Sequence, residues 1–175
     1  MKIMILSDSH SMTKQNLLTF INQHPADYYI HCGDIYMPYS PLEIDNFYNV
    51  RGNNDFADIP KDLTLTIDGL NFFICHGHLF HIDESMYDLE QYALNHKIDV
   101  VCFGHSHNPT CYKKENTLFI NPGSVTFPRG NYPHPTYCIF DTENHEVQFY
   151  DLKENQPCNP FEAKKKESFF KRFFK

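Results

Sequence analysis

Aspartate, asparagine and histidine recur in this 175-residue chain in one kind of place, where a run of apolar residues stops. This happens five times, with Asp8 and His10, with Asp34, with Asn53 and Asp55, with His76 and His78, and with His105 and His107. Oxygen and imidazole ligands that converge without thiolates suit Mn, Fe or Zn at a reactive centre better than a structural zinc site. Each cluster also has an ordinary reading. Asp8 would cap a turn, His10 would be a surface histidine, Asp34 would be a loop carboxylate after Gly33, and Arg51-Gly52-Asn53-Asn54 is good turn chemistry. His105 and His107 carry more weight, because two histidines one residue apart after a buried strand can serve two metals, or a metal and a substrate. The ordered set of five is much harder to produce by chance than any one member.

The elements that would position these groups are strands. Residues 2–6 (KIMIL) form a nearly continuous apolar run, as expected of a strand buried on both faces, and Ser7-Asp8-Ser9-His10 ends it. Leu17, Leu18, Phe20 and Ile21 then recur at helical spacing behind Thr13, a suitable cap, and His24-Pro25 closes the segment. A strand near Tyr28 to Cys32, a short helix through Pro41 to Asn46 and a strand near Phe47 to Val50 follow. Residues 62–76 read as a hairpin turning at Asp68-Gly69. Met86, Leu89, Tyr92 and Ala93 share a helix face, with Asp83 or Ser85 as cap, before a buried strand over Val100 to Phe103. The last third alternates as TCYKK, TLFINPG, TYCIFD and HEVQFYDL, expected to be mostly antiparallel strands. The class is therefore α/β, with two mixed sheets face to face and helices outside, an α/β/β/α sandwich. In α/β sheets ligands bind outside the carboxyl ends of strands, so the five clusters can meet there.

Composition bounds the rest. A hydrophobic content of 41%, with 15% aromatic, supports one folded domain, read as residues 1–160. The formal charge of −7 argues against a nucleic-acid partner, since a phosphate backbone selects for a dense Lys/Arg surface. Six cysteines show no CxxC spacing, and Cys32, Cys75 and Cys102 sit inside apolar runs as small hydrophobes, which points to a reducing compartment. With no signal peptide and no membrane span legible, the expected location is cytoplasmic. Residues 161–175 (FEAKKKESFFKRFFK) form a basic aromatic tail. On a helix Phe169, Phe170, Phe173 and Phe174 would line one side, and three readings stay open: docking on the domain or on a homodimer mate, a solubilising tail, or contact with a membrane surface.

The ordered motifs Asp8-x-His10, Gly33-Asp34, Gly52-Asn53-x-Asp55, His76-Gly77-His78 and Gly104-His105-x-His107 resemble those of the calcineurin-like metallophosphoesterases, specifically the small bacterial and archaeal phosphodiesterases. The resemblance runs from Lys2 to about Leu152 and includes Asn121-Pro122-Gly123-Ser124 and Pro128-Arg129. It implies the metallophosphoesterase fold and two divalent metal ions, with Mn2+ favoured over Fe, Zn, Ni or Co. It further implies that Asp8, His10, Asp34 and His107 hold one ion, and that Asp34 bridges to a second held by Asn53, His76 and His105. The implied reaction is hydrolysis of a small phosphodiester by a hydroxide bridging the two ions.

Roles for three further residues and one departure follow from the comparison of motifs. His78 would orient substrate, support a ligand or be purely structural, Arg129 would contact substrate phosphate or be a surface loop arginine beside Gly130, and Asp55 would fix the Asn53 loop or a ligand histidine. The wider superfamily has a histidine where this chain has Asn54, so a catalytic role at Asn54 cannot include proton shuttling. Slow turnover of poor leaving groups is expected. Two other functions share the motifs: a phosphomonoesterase or protein phosphatase with the same site, and a metal-bound protein-interaction scaffold like the retromer subunit.

Overall fold

Alternate residues of the first strand face two different cores. Ile3 and Ile5 turn to one side of it and Met4 and Leu6 to the other, and all four are completely buried. In this computed structural model, which describes residues 1–35, 44–56 and 58–162, that parity explains the layering. The elements in chain order are β1 (Lys2–Leu6), α1 (Lys14–Gln23), β2 (Tyr28–His31), β3 (Phe47–Asn49), β4 (Asp62–Ile67), β5 (Leu70–Cys75), α2 (Tyr87–His96), β6 (Val100–Cys102), β7 (Thr110–Lys114), β8 (Thr117–Asn121), β9 (Thr136–Asp141), β10 (Glu146–Asp151) and β11 (Gln156–Cys158).

One sheet runs β11-β10-β9-β1-β2-β3 and the other β4-β5-β6-β8-β7. Ile3, Ile5, Ile30 and Phe140 of the first meet Phe72, Ile74, Val100 and Ile120 of the second in a central core. On the far face of the first sheet, Leu17 and Ile21 of α1 cover Met4 and Leu6. On the far face of the second, Leu89 and Ala93 of α2 cover Phe73 and Val101. The result is the four-layer α/β/β/α sandwich that the order of elements predicts. Helical crossovers carry the chain from β1 to β2 and from β5 to β6, which pair in parallel as such connections require.

Local chemistry matches most of the sequence-based expectations. The Thr13 side chain accepts the Asn16 N–H at 3.2 Å and caps α1. Asp68 (φ 52°) and Gly69 (φ 79°) form the left-handed pair that a two-residue hairpin needs. The α2 cap differs, because Met86 occupies that position without a side-chain bond, while Ser85 Oγ takes the Tyr87 N–H at 3.1 Å and Asp83 turns elsewhere. The strands of the last third are antiparallel except that β8 joins β6 in parallel, and a further short strand, β11, contains Pro157 and carries no signal in the sequence. Of the helix expected over Pro41 to Asn46, residues 41–43 lie outside the described residues and Asp45 and Asn46 form a turn instead, and the tail from residue 163 onward also lies outside them.

Candidate metal centre

Five of the clustered side chains stand on backbone that L-residues adopt rarely. Asp8 (φ 54°), His10 (φ 30°), Asp34 (φ 54°), His105 (φ 68°) and His107 (φ 58°) are all left-handed, at the exits of β1, β2 and β6. Such strain persists only where the surroundings over-determine it, and here they do. Asp8 N–H donates to the Gly33 carbonyl at 3.0 Å and His10 N–H to the Asp34 carbonyl at 3.0 Å, tying the first two loops together. Asp55 accepts the N–H groups of Asp34 (2.9 Å) and Gly52 (2.8 Å), tying the second loop to the third, as expected of a residue that fixes the Asn53 loop. A Cβ on Gly52 would run into the Asp34 carboxylate and one on Gly104 into the Ser7 hydroxyl, so these loops approach as closely as they do only because both residues are glycine.

The side chains converge with their acceptors inward. His76 Nδ1–H donates to the Cys32 carbonyl at 2.8 Å, and His107 Nδ1–H to the Phe127 carbonyl at 2.7 Å. These bonds select the tautomer whose Nε2 carries a lone pair. Yet His107 Nε2 lies 3.2 Å from Asp8 Oδ1, and His76 Nε2 lies 3.5 Å from Asp34 Oδ2 and 3.1 Å from Asn53 Oδ1. His10 Nε2 is 3.6 Å from Asp34 Oδ2 and 3.2 Å from His107 Nε2. Lone pairs facing lone pairs at these distances repel unless a proton or a cation sits among them. Asp8 makes the same point: Ser7 Oγ–H (2.6 Å) and the His105 N–H (3.1 Å) satisfy its Oδ2, while its buried Oδ1 has no hydrogen-bond partner among the described residues.

The acid-base properties follow from this crowding. Burial would raise the Asp34 carboxyl, but the His76 bond and charge and two Asn54 donors outweigh it and hold Asp34 well below the usual carboxylate range. Burial would lower His76 and His107, but Asp34 and Asp8 raise the first and Asp8 the second. A proton on either ring would sit where a cation would otherwise meet the same lone pairs. His10, where burial wins over Asp34 and Asp8, is lowered.

Six of the seven expected ligands thus form one cluster. Two groups stand close enough to grip an ion each, Asp8, His10 and His107 in one and Asp8, Asp34 and His76 in the other, with Asn53 on His76. His105 is at the edge, its Nε2 2.6 Å from Asp83 Oδ2. Asn54 donates to both Asp34 oxygens, from its backbone N at 2.8 Å and from Nδ2 at 2.6 Å. The His78 ring lies 5.3 Å from that of His76, its Nδ1 is buried without a partner among the described residues, and burial together with His76 and His105 lowers it to about 4. Arg129 is exposed on the loop whose N–H bonds the His107 carbonyl at 3.0 Å.

The sequence reading missed Asp83, which it placed at a helix cap, and Phe127, which holds His107 through its carbonyl and lays its ring 5.4 Å from His10. Phe127, His10, Ser11 and Asn54 line an open depression of about 350 Å3 beside the cluster. A family model for the calcineurin-like phosphoesterase superfamily domain matches residues 1–145.

The chain belongs to the calcineurin-like phosphoesterase superfamily. It is a metallophosphoesterase, of a family whose members depend on metal, and its side chains fit that requirement. The probable metallophosphoesterase YsnB of Bacillus subtilis is 35% identical over 161 residues, covering 89% of this chain and 94% of its own length. The phosphodiesterase MJ0936 of Methanocaldococcus jannaschii is 31% identical, covering 85% and 97%. Among solved structures, a predicted phosphoesterase of Streptococcus pneumoniae superposes with a TM-score of 0.79 at 26% identity, covering 87% of this chain and 90% of its own. Vacuolar Protein Sorting 29 of Cryptosporidium parvum, at 18% identity and a TM-score of 0.71 over 90% and 94%, shares the metallophosphoesterase fold.

Proposed function

We propose that this metallophosphoesterase hydrolyses small phosphodiesters with two divalent ions, Mn2+ being the favoured metal. The single observation that carries the reading is the acceptor-only cluster: the buried Asp8 Oδ1 and the Nε2 lone pairs of His76 and His107 face one another with no donor between them among the described residues. Asp8, His10, Asp34 and His107 would hold one ion, and Asp34, Asn53, His76 and His105 the other. Asp34, a carboxylate with two oxygens, would be shared between the two ions, and Asp8 lies in both groups of converging ligand atoms. When bound, such ions would acidify water and neutralise phosphate oxygens, so that no side-chain nucleophile would be required.

The surrounding side chains do the rest. Asn54 keeps the Asp34 carboxylate from rotating by holding both its oxygens. His78, neutral through burial at physiological pH, offers a hydrogen-bonding ring nitrogen to a phosphate oxygen, and it holds no spare proton for a leaving group. Arg129, exposed beside the site, supplies a planar cation for a second phosphate oxygen. With Asn54 and His78 both unable to donate a proton readily, activated aryl diesters are the substrates expected to turn over best.

Metal analysis of the purified protein, combined with an aryl phosphodiester assay, tests the proposal. Wild type should bind two equivalents of Mn2+ and turn over only when loaded, and Asp34→Asn should lose activity by ~10³-fold, the order expected when several kcal/mol of charge stabilisation is removed. Turnover of the matched monoester in preference to the diester would make the protein a phosphomonoesterase. Absence of any metal-dependent turnover would leave the scaffold role.

A further inference from the structure

Asp83 and His105 meet at the edge of the cluster. His105 Nε2 lies 2.6 Å from Asp83 Oδ2, and a neutral imidazole in contact with a carboxylate must donate from that nitrogen, since a carboxylate only accepts. One ring nitrogen remains as a lone pair, Nδ1. The backbone of His105 is already fixed on the cluster through its N–H to Asp8 Oδ2 at 3.1 Å, and its ring sits 5.1 Å from that of His76.

Asp83 is exposed, and an exposed carboxylate on a loose loop would count for little. The segment that carries it is not loose. After the left-handed Gly77 a single 3-10 turn (His78–Phe80) leads to His81, whose carbonyl accepts the N–H groups of Glu84 (2.9 Å) and Ser85 (3.1 Å). Phe80, Ile82 and Met86, each partly buried, pack against the core that α2 covers, and Ile82 folds back so tightly that a Cβ on Gly77 would meet its Cδ1 at 2.6 Å. Asp83 therefore lies between an anchored residue and a hydrogen-bonded turn, at a defined height above His105.

We propose that Asp83 is a positioning residue for the metal centre: it takes the Nε2–H of His105, fixes that tautomer and ring orientation, and leaves Nδ1 as the nitrogen presented to the second ion. The chemistry is that of a carboxylate behind a ligand histidine, whose removal typically weakens metal binding by ~10–100-fold. The inference rests on the two-ion reading above, and the two can fail separately.

The test is calorimetric titration of Mn2+ into metal-free wild type, Asp83→Asn and Asp83→Glu, with 15N NMR of the His105 ring. In wild type two ions should bind and the His105 signals should report Nε2–H. Asp83→Asn should weaken the second ion by ~10–100-fold with the first unchanged, shift the ring toward a mixed tautomer, and leave the melting temperature of the metal-free protein where it was. Asp83→Glu should recover part of the loss. Two ions bound with equal affinity in wild type and Asp83→Asn, or tighter binding in the variant, would overturn the positioning role and leave the phosphodiesterase reading intact. A wild type that binds no second ion would instead remove the reading on which the inference stands.

Discussion

Asn54 is the residue at which this chain departs from the pattern of the wider superfamily, and its environment gives it different work. Its backbone N–H and side-chain amide hold both oxygens of Asp34, at 2.8 and 2.6 Å, so the position that elsewhere carries a histidine here immobilises a carboxylate. Substituting a histidine separates the two jobs. Asn54→His regains a group that can protonate a leaving oxygen and loses the Nδ2 bond, which as a bond to a charged group is worth about 1.5–3 kcal/mol. The expected outcome is a split: kcat for diesters with poor leaving groups rises relative to that for activated aryl diesters, while Mn2+ affinity falls by ~10-fold. Rates measured across leaving groups of graded pKa check the first half and titration of the metal the second. An unchanged leaving-group dependence would mean that proton donation is not what this position controls.

At the scale of elements, the centre depends on how closely three strand exits can approach. Gly52 after β3 packs against Asp34 after β2, and a methyl group there has nowhere to go but into the Asp34 carboxylate. Gly52→Ala should therefore destabilise the metal-free fold by about 1–3 kcal/mol and weaken metal binding, both readable in urea unfolding and Mn2+ titration. Gly69→Ala, at a hairpin turn with open space around it, serves as a control that carries only the left-handed backbone cost and leaves metal binding alone. These elements were largely legible in the sequence, because each buried strand announces itself as an apolar run and each ligand as the polar residue that ends it. Parity was not legible, since Ile3 and Met4 look alike in a strand buried on both faces and only the structure assigns one to the central core and the other to α1. Pairing of β8 with β6 was hidden for a similar reason, as β8 reads equally well as half of an antiparallel hairpin with β7, which it also is. Asp83 and Phe127 left no periodic signal, because their roles arise from a short turn and from a backbone carbonyl, which local spacing does not record.

For the molecule as a whole, metal and proton compete for the same cluster, and that competition sets how stability depends on pH. In the metal-free protein His76 and His107 are raised above their usual value, against burial, by Asp34 and Asp8. A raised histidine contributes stability that is fully present below its unfolded pKa and is lost as pH climbs through the folded one. These two groups therefore make the metal-free protein relatively more stable as pH falls toward 6.5 and less stable above it. His31 works the other way. Buried completely beneath the site, with Ser9 Oγ 3.1 Å from its Nε2, it is lowered to about 4 by desolvation, so the unfolded chain takes up a proton that the folded one refuses between pH 6.5 and 4. At pH 4 that difference amounts to about 3 kcal/mol against the fold. The loaded protein has no compensating gain, because its ions keep His76 and His107 neutral and are displaced when those rings charge. With Mn2+ at a thousandfold the Kd of each site, each ion stabilises by about 4 kcal/mol, or roughly 8–16 °C in a protein of this size. The melting-temperature gap between loaded and chelator-treated protein should be largest near pH 8 and close steadily toward pH 5, since protons fill the acceptor cluster in the one state and expel cations in the other. Paired thermal melts at half-unit pH steps measure it. A gap that stays constant from pH 8 to 5 would mean that the ions bind away from His76 and His107, and the acceptor cluster would need another explanation.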